Sequence, residues 1–145
     1  MVFMDVLFSK IKEVTGLGDI GYHKFDGDEL KPVYKTNTDI LGIEKWKETH
    51  AENPVYISET KVLIEVINTK KPVFINNTKG DNLSADAFLL FGVDSIVIFP
   101  IASGEKVEGI ICVVSIGKTH EFNVQEVSKC ESLVKEYQEQ FLSIQ

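Results

Sequence analysis

The segment from Ser95 to Lys118, SIVIFPIASGEKVEGIICVVSIGK, limits the chain more than any other. It reads as two strands joined by a tight reversal at Ser103-Gly104-Glu105-Lys106, where Gly104 supplies the backbone freedom of a short turn. Side chains alternate across a strand, so Val97, Phe99 and Ile101 point to one face and Ile96 and Ile98 to the other. In the second strand Val107, Gly109, Ile111, Val113 and Ser115 share a face, with Ile110, Cys112, Val114 and Ile116 opposite. A sheet with one wet face alternates apolar and polar residues. This hairpin is apolar on both faces, so each face needs a cover. Pro100 has no N–H for a ladder and calls for an edge, a bulge or an unbonded position.

The flanking sequence supplies the covers. Phe3, Val6, Leu7, Ile11 and Val14 recur at helical spacing and predict an amphipathic helix over Val2–Thr15, ended by Gly16 and Gly18. Ile20–Phe25 and Leu30–Lys35 predict two strands about the turn Asp26-Gly27-Asp28, with Pro32 placing the second at an edge. A short helix over Ile43–Thr49 carries Trp46, and Asn53-Pro54 breaks the chain. Ser58 is the expected N-cap of a helix with the stripe Val62, Leu63, Val66, Ile67. Pro72–Asn77 is the expected third strand. Ser84 is the expected cap of a short helix ending at Gly92. The last helix, from about Val124 to Leu142, bears the row Val127, Cys130, Val134, Tyr137, Phe141, Ile144, which steps 3, 4, 3, 4, 3.

Four stretches in this order carry a family resemblance: Lys70-Lys71-Pro72-Val73-Phe74-Ile75; Ser95 to Ile101 with Phe99-Pro100-Ile101; Val107-Glu108-Gly109-Ile110-Ile111; and Phe122-Asn123-Val124-Gln125-Glu126. Together they resemble the GAF domain, a small-molecule sensor module of signalling proteins, over roughly Val2 to Phe141. The resemblance implies an α+β fold, an antiparallel sheet of five or six strands. The N- and C-terminal helices would lie on one face, with short helices and loops roofing a pocket on the other. It implies a pocket beneath Thr36–Ser58 and Asn76–Phe91, with Trp46, Tyr56, Phe88 and Phe91 beside Asn76, Asn77, Thr78 and Asp81. Relatives that bind small anions through aromatic and backbone groups add Phe99 to these candidates.

Composition narrows the class. A chain of 145 residues is expected to form one domain, 1–145, with a core that needs no staples. A net charge of −7 argues against a nucleic-acid or anionic-membrane surface. No apolar run approaches a membrane span, and Met1-Val2-Phe3-Met4-Asp5 lacks the basic flank of a signal peptide. Two cysteines make no disulfide framework, and a reducing cytoplasm is the expected compartment.

Catalytic motifs are weak. His23, His50 and His120 share no metal-ligand spacing and read as surface or locally bonded residues, so neither metal nor cofactor is expected. Asp26 and Asp28 read as turn formers. Cys112 and Cys130 read as small buried core residues. GAF-like reductases of free methionine sulfoxide use cysteines on loops around the pocket, and this chain has none there. Bilin-binding relatives attach pigment at a cysteine beside a histidine, a pairing absent from this sequence. Cyclic-nucleotide binders carry an upstream Asn-Lys pair that is missing, leaving only Phe122 and Glu126 of that signature.

The expected function is a cytoplasmic sensory domain, not an enzyme, that binds an unidentified small ligand and signals to an output domain or partner. The alternative is a dimerisation or interaction module with a collapsed pocket; a methionine sulfoxide reductase ranks below both. A homodimer is expected through the terminal helices, with Tyr137 and Phe141 meeting the stripe Phe3, Val6, Leu7, Ile11.

Overall fold

The structure, a computed structural model, describes residues 2–144. Among them the chain forms five helices and six strands: α1 (Val2–Thr15), β1 (Asp19–Asp26), β2 (Glu29–Lys35), α2 (Ile43–Glu52), β3 (Val55–Tyr56), α3 (Lys61–Thr69), β4 (Val73–Ile75), α4 (Asp86–Phe91), β5 (Val93–Ser103), β6 (Lys106–Ile116) and α5 (Val124–Leu142). A single 3-10 turn, Ile57–Glu59, leads into α3. The strands form one antiparallel sheet in the order β3-β2-β1-β6-β5-β4. This is the α+β arrangement that the two-faced hairpin demands. In the hairpin β6 lies at the centre beside β1, and β5 lies between β6 and the edge strand β4; the reversal falls at Gly104, whose φ is +61°.

Strand parity divides the core in two. Val97, Phe99, Ile101, Ile111 and Val113 join α1 and α5 on one face. Ile96, Ile98 and Ile110 join α3, α4 and the 3-10 turn on the other. The two strand prolines, Pro32 and Pro100, lie where partner strands have run out. β3 pairs only with Glu29 and Leu30, and Pro32 sits beyond it, beside a register irregularity opposite Tyr22 and His23. β4 pairs only with Ile96, Val97 and Ile98, so Pro100 lies on an open flank of β5. Two residues on, the Ala102 N–H donates to Gln138 Oε1 of α5 at 3.2 Å.

Several local expectations are corrected. The buried face of α1 is Met4, Leu7, Phe8, Ile11 and Thr15, while Val6 is 43% exposed. That row is equally helical, and Thr15 tolerates burial because its hydroxyl donates to the Ile11 carbonyl at 3.0 Å. Neither Ser58 nor Ser84 caps a helix. Thr60 and Ala85 occupy those positions, without a side-chain cap bond. Ser58 is instead drawn to Asp28, which accepts from its hydroxyl at 2.6 Å and its N–H at 2.9 Å. The Ser84 hydroxyl donates to the Thr78 carbonyl. Ser58 is taken by a partner thirty residues away and Ser84 by a carbonyl within its own loop, so neither is left to cap.

The row on α5 is largely taken up within the chain. Cys130, Val134 and Phe141 are buried against the sheet and α1. The Phe141 ring stands edge-on to Phe3 at 5.0 Å and lies 4.7 Å from Tyr22. Tyr137 is half-buried, with Lys10 Nζ 5.4 Å above its ring. Among the described residues no helix is long and apolar enough to cross a membrane.

Candidate functional site

The sheet face opposite the terminal helices is covered by α2, α3 and α4, and beneath them lies a cavity of about 90 Å³. Its floor is built from β1, β5 and β6 through Gly21, His23, Ile96, Ile98, Ile110 and Cys112. Trp46 and His50, one turn apart on α2, form one wall; Phe88 and Phe91 of α4 form another. Gly21 gives Trp46 its room: a Cβ at residue 21 would stand 3.1 Å from the indole Cζ2, closer than an ordinary contact. A wider, wetter cleft of about 550 Å³ opens alongside between Tyr56 and Leu90, and shares Val55, Thr60, Ala85 and Ala87 with the cavity.

The expected site residues separate into groups. Trp46, Phe88 and Phe91 line the cavity, and Tyr56 lines the outer cleft. Asn76 is turned away: its Oδ1 accepts the Phe122 N–H at 2.8 Å and anchors the segment leading to α5. Asn77 and Asp81 close local turns by accepting the N–H groups of Lys79 and Leu83. Thr78 is buried, but its hydroxyl donates to the Val93 carbonyl at 2.7 Å, outside the cavity. The ladder of β4 ends at Ile75, short of the expected Asn77, so both asparagines lie outside the strand. Phe99 is on the wrong side of the sheet for this cavity: the parity of β5 sends it into the α1–α5 core.

Sequence reasoning missed the polar heart of the site. His23 and His50 meet across 27 residues, with their Nε2 atoms 3.3 Å apart. His23 Nδ1 lies 3.9 Å from the Cys112 thiol. The reading of these two histidines as surface or locally bonded residues is therefore corrected, and Cys112, expected as a buried core residue, is partly buried and lines the cavity. Their signals were present but indirect: His23 shares strand parity with Gly21, and His50 follows Trp46 by four residues. His120 does bond locally, to Glu126 at 2.8 Å.

Burial controls the protonation of these groups. It lowers His23 well below the usual histidine range, with His50 adding to the effect, and lowers His50 to about 4. It raises the Cys112 thiol to about 12. Deeper along β1 and β2, Lys35 meets Asp19 at 3.1 Å, and both are buried. Burial lowers the lysine, opposed by its bond to Asp19. Its Nζ also donates to the carbonyls of Thr36 at 2.7 Å and Leu41 at 2.6 Å, while Thr38 donates to Asp19 at 2.5 Å. The wall therefore carries one neutralised ion pair and two neutral imidazoles. Cys130, by contrast, is on the far side of the sheet in the helical core. Among the described residues no group of three or more His, Cys, Asp or Glu is placed to hold a metal ion.

No protein-family model matches the chain, and no curated protein matches it. Solved structures do. The chain superposes on the GAF domain/HD domain protein from Geobacter sulfurreducens with a TM-score of 0.75 at 14% identity, covering 93% of this chain and 86% of that one. A GAF domain region from the same organism gives 0.70 at 21% identity, covering 99% and 93%. Free methionine-R-sulfoxide reductase from Neisseria meningitidis gives 0.67 at 13% identity, covering 92% and 72%. The fold is that of the GAF domain, with its six-stranded antiparallel sheet and paired terminal helices.

Proposed function

We propose that this chain is a sensory GAF domain, acting in the cytoplasm as one folded unit over 1–145. It binds a small ligand between the sheet and α2, α3 and α4, and passes its occupancy to an output domain or signalling partner. The observation that carries this reading is the cavity whose aromatic wall comes from Trp46, Phe88 and Phe91. Ligand sites join such walls to a few polar groups. The same strands that floor the cavity carry α1 and α5 on their reverse side, so occupancy has a short path to the terminal helices. Similarity to a GAF domain of a two-component sensor histidine kinase from Bacillus halodurans, at 12% identity, accords with a signalling role.

Trp46 is the sole tryptophan and is buried in the wall, so its fluorescence reports the cavity directly. A screen of nucleotides, amino acids, keto acids and small anions is expected to yield one compound that both shifts this emission and raises the melting temperature. A hundredfold excess over Kd corresponds to about 2.7 kcal/mol of added stability. Stabilisation without any change at Trp46 would place the ligand elsewhere.

The cavity is far below the roughly 300–1,000 Å³ of typical ligand sites, which favours the interaction-module alternative or a very small ligand. Sulfoxide reduction is the weaker reading. The two thiols lie on opposite sides of the sheet, and burial raises both, Cys130 to about 11. A homodimer through the terminal helices stays part of the proposal, but with other residues: Val2 and Val6, 81% and 43% exposed on the outer side of α1. Sedimentation at tens of micromolar is expected to give a dimer that Val2→Glu, Val6→Glu converts to a monomer. A wild-type monomer ends that part of the proposal.

A further inference from the structure

One set of polar groups in the cavity forms an ordered line: the Cys112 thiol, His23 Nδ1, His23 Nε2, His50 Nε2 and His50 Nδ1. At its end, His50 Nδ1 is, among the described residues, the one buried side-chain nitrogen or oxygen with no hydrogen-bond partner. His50 itself is only 6% exposed, and its ring lines the cavity. Leaving such an atom unpaired is costly, and native structures rarely do so without a reason.

The line also has a direction. An imidazole nitrogen accepts a hydrogen bond far better than a thiol sulfur does, so Cys112 donates and His23 Nδ1 accepts. A neutral His23 then carries its proton on Nε2 and donates to His50 Nε2. His50, accepting at Nε2, carries its own proton on Nδ1. With donation running in that direction, the unpaired atom is a donor, an N–H with nothing to accept it.

The remaining wall defines what can. Lys35 and Asp19 neutralise each other, and the lysine's contacts with two carbonyls occupy it further. An anion entering the cavity would lose its hydration and find no free cation. Apart from Thr60, whose hydroxyl donates to the Tyr56 carbonyl at 2.7 Å, the rest of the lining is aliphatic or aromatic, including Leu63, Phe88 and Ile98. A cavity of about 150 Å³ holds benzene, so the 90 Å³ here suits a molecule of about four heavy atoms.

Building on the sensory reading above, we propose that the cavity selects a small neutral molecule with one hydrogen-bond acceptor, of the ketone or amide class, whose oxygen bonds to the Nδ1–H of His50. This deepens the sensory reading by excluding the small anions otherwise compatible with such a domain.

Acetone, acetate and 2-methylpropane are nearly the same size and differ in the property at issue. Acetone is a neutral acceptor, acetate is charged, and the alkane offers no acceptor. In ¹⁵N-labelled protein at pH 7, long-range ¹H–¹⁵N spectra of the rings are expected to show the Nε2–H form of His23 and the Nδ1–H form of His50. Acetone is expected to shift His50 Nδ1 and the Trp46 indole signal saturably, with acetate and 2-methylpropane each at least tenfold weaker. Cys112→Ala is expected to mix the tautomers and weaken acetone several-fold, whereas Cys112→Ser, which keeps a donor, retains both. An Nε2–H form of His50, or Cys112→Ala with unchanged tautomers and acetone binding, overturns the inference. Acetate binding as well as acetone overturns the ligand class while sparing the sensory reading. Silence of Trp46 towards all three probes overturns the inference, and the wider screen then judges the sensory reading by itself.

Discussion

Phe141→Ala is expected to lower the free energy of unfolding by about 3–5 kcal/mol, the range for removing a large aromatic side chain from a packed core. Phe141 is 1% exposed and ties three elements together: α5 by its own backbone, α1 through Phe3, and β1 through Tyr22. The cavity left by truncation would lie between helices and sheet, where none of the three can close it without moving the others. Urea unfolding followed by the far-ultraviolet signal checks this; the midpoint should fall with little change in slope. Phe141→Leu, which refills much of the volume, should cost clearly less. An alanine variant within 1 kcal/mol of wild type, a loss well below the Phe-to-Ala range, would mean that the end of α5 does not hold the core together.

Acidification is expected to act through the buried histidines. Both are held neutral in the fold, with pKa values below the ordinary 6.5. An unfolded chain therefore binds more protons than the native one once the pH drops below about 6.5. The stability that these residues contribute at neutral pH is present above the unfolded pKa and declines as pH falls toward the folded value. For His50, with a folded value of about 4, the loss is on the order of 2 kcal/mol by pH 5, and His23 adds to it in the same direction. Unfolding curves at pH 7, 6 and 5 measure this. The double variant His23→Phe, His50→Leu is expected to flatten the profile between pH 7 and 5. A wild-type profile already flat over that interval would mean that the imidazoles are not held neutral.

What could be read from the sequence depended on how local its cause was. The hairpin's division of side chains follows from a period of two, and the structure keeps it residue by residue from Ile96 to Ile101. α1 and α5 run over the expected ranges because their signals, apolar spacing and the stop at Gly16, lie within each segment. Which stripe of α1 would be buried was not legible, since Phe3-Val6 and Met4-Phe8 are both apolar rows and docking chooses between them. Trp46, Phe88 and Phe91 could be placed at the cavity because the short elements bearing them have only one sheet face to cover. The contact of His23 with His50 depends on how α2 crosses β1, a tertiary quantity that no spacing encodes. Asn76 and Thr78 looked like binding groups because they are polar residues in a polar loop. Their hydrogen bonds to Phe122 and Val93 show them holding backbone instead.

The open flank of β5 bears on how this protein behaves in a crowd. A strand that extends past its neighbour presents bare N–H groups, a template on which another chain can zip and seed aggregation. Beyond Ile98, β5 has no strand beside it on the side where β4 ended. Pro100 offers no N–H there, and the N–H of Ala102 is already bonded to Gln138. An incoming strand laid along this stretch meets neither donor. The most apolar strand pair in the chain is thereby shielded from self-recruitment by one proline and one glutamine.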